Sequence, residues 1–191
     1  MKVKISGIEK HFRTVWMEGS TVVMIDQRFL PHKFKLLKCR TYLGSVEAIK
    51  NMTVRGAGAI GAAAGYAMAQ AVNEASGFSK EKAIMYVLEA EKRIKNARPT
   101  AQNLFYAVDR VYNSTLKAKT IEEAVSFAIK EANQIADDDA EACRKIGEFG
   151  NTLLGVKDSV LTHCNAGWLA FVDNGSALSP VYAAKAAGKQ I

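Results

Sequence analysis

The sequence predicts an α+β protein: a small N-terminal β-sheet, a helical bundle and the truncated start of an α/β domain. Three observations carry that expectation. Residues 14–26 are rich in β-branched and aromatic side chains around a turn-forming trio. From residue 43 the hydrophobic period lengthens from two to about 3.6. From residue 156 the chain returns to a short apolar run followed by a helix that starts on proline. The expected boundaries are 1–42 for the β region, 43–155 for the helices and 156–191 for the first strand and helix of the last unit.

In chain order, Thr14 to Asp26 reads as a β-hairpin turning at Glu18-Gly19-Ser20. A further strand around Lys35–Arg40 is expected to join it, because an isolated hairpin is marginal in water. Ser45–Met52 reads as a short helix, and Ala59–Val72 as a second one packed closely through its Ala and Gly residues. Ser79 opens an amphipathic helix with Ala83, Ile84, Val87, Leu88 and Ile94 as its apolar positions. That helix should end before Ala97-Arg98-Pro99, since proline disfavours a helical residue ahead of it. Pro99 then suits the first turn of the next helix, whose apolar face is Leu104, Phe105, Val108, Val111 and Tyr112.

Thr120 and Glu123 form a capping box that opens a long helix through Val125, Ile129, Ala132, Ile135, Cys143 and Ile146. Asp158–His163 reads as a parallel strand, Ser179-Pro180 as an N-cap with proline behind it, and Gly188 as a helix stop. One strand and one helix do not make a parallel sheet, whose strands need neighbours and covered faces. The sequence therefore reads as cut off inside its second, α/β unit.

Of the 191 residues, 49% are hydrophobic and 24% charged, which excludes a disordered or low-complexity chain. Cys39, Cys143 and Cys164 make an odd count without a C-x-x-C pair, so neither a disulfide framework nor a thiolate zinc site is expected. A reducing, cytoplasmic location fits that usage. The first residues contain no apolar run of signal-peptide length. Gly56–Asn73 is uncharged but mostly Ala and Gly, so a packed internal helix is expected there and no membrane partner. The net charge is +7, with ten basic and four acidic residues in 1–50 and six against nine in 101–150. The densest patch, His32 to Arg40, alternates charge with apolar residues as a surface strand does. No nucleic-acid signature accompanies it, so no nucleic-acid partner is expected, and an anionic small substrate accounts for the balance.

Gly56-Ala-Gly58-Ala-Ile-Gly61 satisfies G-x-G-x-x-G, but a dinucleotide fingerprint must follow a buried strand, and the residues upstream read as helix. Two readings remain. Arg55 beside a glycine-rich helix start offers a guanidinium and free backbone N–H groups to a phosphate, or the glycines only let helices pack closely. Arg98, at a junction of two helices, either points at the same anion or pairs with surface carboxylates. Asp137-Asp-Asp-Ala-Glu141 is read as a solvated helix face, because consecutive helical positions diverge by about 100° and cannot converge on a metal. Leu161-Thr-His163-Cys164-Asn165-Ala-Gly167 lies where a strand ends and the chain turns, the place where α/β proteins gather ligands. A thiol there is either an acid, base or nucleophile, or an inert buried cysteine. Alternation along a strand sends His163 and Cys164 to opposite faces, which argues against a Cys–His dyad.

Four segments together resemble the methylthioribose-1-phosphate isomerase family: Val23-Met-Ile-Asp26-Gln27-Arg-Phe-Leu-Pro31, Val54 to Gly61, Ala97-Arg98-Pro99-Thr100-Ala-Gln-Asn103, and Leu161 to Gly167. The wider superfamily includes ribose-1,5-bisphosphate isomerase and regulatory subunits of the translation initiation factor 2B complex. The resemblance implies that the last unit is the truncated start of a Rossmann-like α/β domain, in a chain about half the family's length. It implies an aldose–ketose isomerase of methionine salvage, with a phosphorylated sugar as substrate and no metal or organic cofactor. It further implies a homodimer and, for a chain of this length, a separate C-terminal half as a partner. Arg55, Gly56, Ala57 and Arg98 resemble the family's substrate contacts, and Cys164 its catalytic cysteine. Gly58 and Gln102 depart from the pattern, where proline and valine are common. The family's catalytic aspartate would fall beyond Ile191. A ribose-1,5-bisphosphate isomerase and an initiation-factor-like binding subunit are the alternative readings.

Overall fold

The computed structural model describes residues 2–5 and 7–191; Met1 and Ser6, at the start of the expected β region, lie outside the described residues. Two antiparallel sheets form the N-terminal part. In the first, β1 (Lys2–Ile5) pairs with β2 (Ile8–His11), setting Lys2 opposite His11. This hairpin was not legible as strands, because β2 is exposed along its whole length and carries no buried-face pattern. In the second, β3 (Val15–Glu18), β4 (Thr21–Ile25) and β5 (Leu36–Cys39) lie in that order. Trp16 faces Val23, and Val23 faces Lys38. Gly19, at φ 60°, makes the left-handed turn between β3 and β4.

The helices are α1 (Tyr42–Lys50), α2 (Ala57–Glu74), α3 (Lys80–Lys95), α4 (Gln102–Thr115), α5 (Ile121–Asn151) and α6 (Ser179–Ala186). An α+β architecture is therefore what forms. Every residue of α2 from Gly58 to Val72 is buried, which is the state of a helix apolar all round. It is the axis of the bundle, with α1, α3, α4 and α5 packed against it. The buried Gln70 ties this axis to the sheet. Its amide nitrogen donates to the carbonyls of Ser20 (2.9 Å) and Cys39 (2.8 Å), and its oxygen accepts from the Ser45 hydroxyl (2.6 Å). Each buried polar atom of that side chain is thereby satisfied. Among the described residues no helix is long and apolar enough to cross a membrane.

Capping follows the sequence closely. Side-chain oxygens of Thr41, Ser79 and Thr120 accept from the backbone N–H three residues on, at the starts of α1, α3 and α5. Glu123 completes the α5 start by accepting from Lys119 N–H at 2.7 Å, one residue ahead of the cap. Gly188, at φ 81°, follows the end of α6.

Four expectations are corrected. The buried stripe of α3 is Ala83, Val87, Ala90 and Ile94, so Ile84 and Leu88, one position off it, are exposed. Pro99 lies in a turn closed by Ala101 N–H to Arg98 O (3.0 Å), and α4 begins only at Gln102. Leu178 rather than Ser179 caps α6, and the Ser179 hydroxyl instead donates to Cys143 O at 2.8 Å. Residues 158–163 form no strand; they are irregular and mostly exposed. A parallel strand exists only through its neighbours, and no strand is found among residues 151–191.

Candidate functional site

The candidate site begins at the start of α2. The chain leaves α1 through Thr53 and Val54, both fully buried, with Gln27 N–H donating to Thr53 O at 2.9 Å. It then turns at Gly56, at φ 89°, into a helix start that no side chain caps. The first backbone N–H groups of an 18-residue helix, with its dipole behind them, therefore have no side-chain cap. Arg55 and Ala57 flank this point and are exposed; the Arg55 Nε–H donates to Met52 O at 3.2 Å.

The glycines here have a packing role. A Cβ on Gly56 would overlap the backbone of Ala170, one on Gly58 would overlap the Asp139 carboxylate and the Phe171 ring, and one on Gly61 would crowd Asn103 at 3.0 Å. With α1 rather than a strand ahead of it, the G-x-G-x-x-G match is not a dinucleotide fingerprint. The close approaches bring two other parts of the chain to this helix: the segment after Cys164 through Ala170 and Phe171, and the start of α4 through Asn103. Arg98 is half-buried in the turn ahead of α4, and among the described residues no hydrogen bond or ion pair engages its guanidinium.

Cys164 is exposed, at φ 63°. The loop after it is fixed from several sides. Ala166 O accepts from Ser176 N–H (3.0 Å), and Gly175, at φ 69°, lies so close to Ala166 and Gly167 that a side chain there has no room. Trp168 stacks on Tyr182 with ring centroids 5.1 Å apart, and its indole N–H donates to the Asp173 carboxylate. The same carboxylate pairs with His11 of β2 at 2.8 Å. Gln27 donates to Leu169 O (2.8 Å), Thr14 N–H to Val172 O (2.9 Å), and Val172 N–H to the Asp139 carboxylate (2.7 Å).

Segment 168–174 is thus a node joining the N-terminal sheets, α2 and α5 to the cysteine loop. Its residues were missed in the sequence; the one signal present was the Asn174-Gly175 turn dipeptide. The acidic run divides as well. Asp137 and Asp138 are exposed and pair with Arg13 and Arg110, as a solvated face should, whereas Asp139 turns inward to Val172. Burial raises the Asp139 carboxyl above the usual carboxylate range, opposed by the Val172 N–H. Burial, with Asp139 and Asp173 nearby, pushes the Cys143 thiol up to about 12, and burial also raises Cys39.

Of the sequence-derived site residues, then, Arg55, Gly56 and Ala57 share one helix start, and Gly56 meets the segment that follows Cys164. No hydrogen bond among the described residues joins Cys164 to Arg55 or Arg98. A separate cavity of about 220 Å³ opens between α2, α4 and α5, lined by Gly58, Asn103, Tyr106, Arg110 and Asp139 among others; Arg55, Gly56, Ala57, Arg98 and Cys164 are not among its lining residues.

Residues 53–191 match the Initiation factor 2 subunit family. A methylthioribose-1-phosphate isomerase of Petrotoga mobilis is 42% identical over 188 residues, covering 95% of this chain and 54% of the relative. Another from Acetivibrio thermocellus is 44% identical over 170 residues, covering 88% and 50%. Among solved structures, a 5-methylthioribose 1-phosphate isomerase from Pyrococcus horikoshii superposes with a TM-score of 0.87 at 40% identity, over 95% of this chain and 51% of that one. A translation initiation factor eIF-2B subunit delta from A. fulgidus superposes with a TM-score of 0.84 at 38% identity, over 94% and 52%. The chain spans about half the length of the curated relatives it matches.

Proposed function

The chain belongs to the Initiation factor 2 subunit family, and from that premise we propose that it supplies the phosphate-binding and cysteine-bearing half of an aldose–ketose isomerase acting on 5-methylthioribose 1-phosphate. The observation that carries this reading is the seating of Gly56 on Ala170. It joins the uncapped, arginine-flanked start of α2 to the segment that follows Cys164, so an anion holder and a thiol belong to one packed unit. The isomerase names of relatives at about 40% identity support the same reading.

In that role the backbone N–H groups at the start of α2, with Arg55 and Arg98, hold the phosphate dianion by charge-assisted hydrogen bonds. The substrate is a closed glycosyl phosphate, so the ring must open before hydrogen moves between C2 and C1. Both events need an acid and a base held within reach of the sugar. Cys164 is one member of that pair, taking or giving the proton at carbon. The other is a carboxylate from the portion of the relatives that this chain does not match. The resulting protein is a homodimeric, cytoplasmic enzyme of methionine salvage that needs no metal or organic cofactor.

The test is turnover of 5-methylthioribose 1-phosphate by the chain joined to the unmatched half of a relative. Cys164→Ser should reduce kcat by at least about a thousandfold, since paired acid–base groups act as a unit. Arg98→Ala should chiefly raise KM. An unchanged kcat in Cys164→Ser, or an unchanged KM in Arg98→Ala, overturns the assignment. The likeness to the eIF-2B delta structure favours one second reading, a binding subunit that uses the same pocket without chemistry; tight binding of the sugar phosphate with no turnover would select it.

A further inference from the structure

Helix α3 has two apolar faces. One, made by Ala83, Val87, Ala90 and Ile94, is buried against the bundle. At about 100° per residue, Glu81, Ile84, Met85, Leu88 and Lys92 fall on a second stripe on the opposite side of the helix. All five residues are exposed, Ile84 by 50%, Met85 by 72% and Leu88 by 38%. Single exposed apolar residues are ordinary, whereas three that adjoin one another on successive turns form an unpartnered helix face.

The charges at the two ends of the stripe decide what it fits. Off the stripe, Arg93 Nε donates to Glu89 at 2.8 Å, Lys95 Nζ reaches Glu91 at 2.7 Å and Asp109 at 2.6 Å, and Lys82 Nζ lies 4.3 Å from the centre of the Phe78 ring. On the stripe, Glu81 and Lys92 make no ion pair among the described residues. They stand 11 residues apart, about three turns, with the three apolar side chains between them. Laid parallel on a copy of itself, the stripe would set Glu81 against Glu81 and Lys92 against Lys92. Laid antiparallel, about a two-fold axis level with residues 86–87, it sets Glu81 against Lys92 of the second copy and Lys92 against its Glu81. In that register Met85 meets Leu88 in both directions. This is the self-complementarity an isologous interface requires, with an apolar centre and charged ends.

We propose that the outer stripe of α3, residues Glu81, Ile84, Met85, Leu88 and Lys92, docks antiparallel on the same stripe of a second copy of this chain. The apolar side chains interlock at the centre as ridges into grooves, and the two Glu81–Lys92 pairs fix direction and register. The inference rests on the proposed function only for the homodimer, and it adds the face on which the two copies meet.

The experiment is sedimentation equilibrium of the 191-residue chain over about 1 µM to 1 mM, where monomer should pass to dimer. Glu81→Lys and Lys92→Glu should each weaken self-association by at least about tenfold, because each turns both attractions across the interface into repulsions. Mixed in equal amounts, the two variants should associate with each other about as tightly as the parent does with itself, since the mixture restores opposite charges at both ends. Met85→Asp should leave the chain monomeric with the helical circular dichroism of the parent, because the residue is in solvent in the single chain. A chain that stays monomeric over the whole range overturns the proposal. So does a dimer that the two charge reversals leave unchanged, or one that both weaken and the mixture does not recover. Turnover is not among the readouts. An inactive protein that dimerises through α3 defeats the isomerase reading alone, and an active one whose association ignores these charges defeats the α3 interface alone.

Discussion

The backbone N–H of Val172 donates to the Asp139 carboxylate at 2.7 Å, inside a seam where Gly58 of α2 leaves room for that carboxylate and nothing larger. One acidic side chain of α5, next to Asp137 and Asp138 that face solvent, fastens the segment after Cys164 to the bundle. Burial raises the Asp139 pKa, and the Val172 N–H offsets only part of that effect. The sign of the consequence is fixed. A folded-state pKa above the unfolded one means the folded protein holds the proton more tightly. Stability is therefore greatest below the unfolded value, about 3.9, and falls as pH rises through the folded one. In Asp139→Asn the side-chain oxygen can still accept from Val172 without ionising. Urea denaturation of the two proteins should show the asparagine variant gaining on the parent as pH rises from about 4 to 7. A parent that instead gains on the variant over that range would mean that the hydrogen bond outweighs burial.

Gly56→Ala and Gly58→Ala should each cost about 2–4 kcal/mol, for different reasons. Position 56 combines φ 89° with overlap on the Ala170 backbone, which cannot move without disturbing the Gln27 and Thr14 contacts beside it. Position 58 has ordinary helical geometry but would push into the Asp139 carboxylate and the Phe171 ring. Gly77 supplies the control, since a Cβ there meets nothing within 4 Å and its φ is not in the left-handed region. Gly77→Ala should be neutral or stabilise by a few tenths of a kcal/mol through the unfolded chain. Thermal melts of the three variants decide the matter, and equal effects at all three positions would remove the packing account of the glycines.

These contacts also show where the sequence was readable. The hairpin at Thr14–Asp26, the Ser79 and Thr120 caps and the all-round burial of α2 follow from local chemistry: turn residues, cap hydroxyls and side-chain size. The misread positions depend on partners distant in the chain. Ile84 and Leu88 satisfy a helical period as well as their buried neighbours do, and the placement of α2, α4 and α1 decides which stripe is covered. Asp139 is indistinguishable from Asp137 and Asp138 until the 168–174 segment arrives from more than thirty positions away. Residues 158–163 have strand composition, but composition cannot supply the neighbour that a strand requires. For the candidate site, the sequence offered the motif residues, Gln27 among them, whereas Trp168, Asp173 and His11, which support the loop after Cys164, belong to no motif.

The three cysteines should divide sharply in reactivity. Cys39 and Cys143 are buried, and burial raises both thiols, that of Cys143 to about 12, so neither presents a thiolate to a reagent near neutral pH. Cys164 is exposed, and the loop behind it is fixed by Gly175 and by the stacking of Trp168 on Tyr182. A disulfide reagent at about pH 8 should therefore titrate one thiol quickly in the folded chain, and all three after denaturation. Cys164→Ser should abolish the fast phase and leave the melting temperature almost unchanged, because the side chain is exposed. Asp173→Asn tests the support under the loop. It keeps the size of the side chain but removes the charge that pairs with His11. The variant should alter the rate of the fast phase while the slow thiols stay protected. Fast reaction at Cys39 or Cys143 in the folded protein would contradict this division, since it would require the core around α5 or β5 to open.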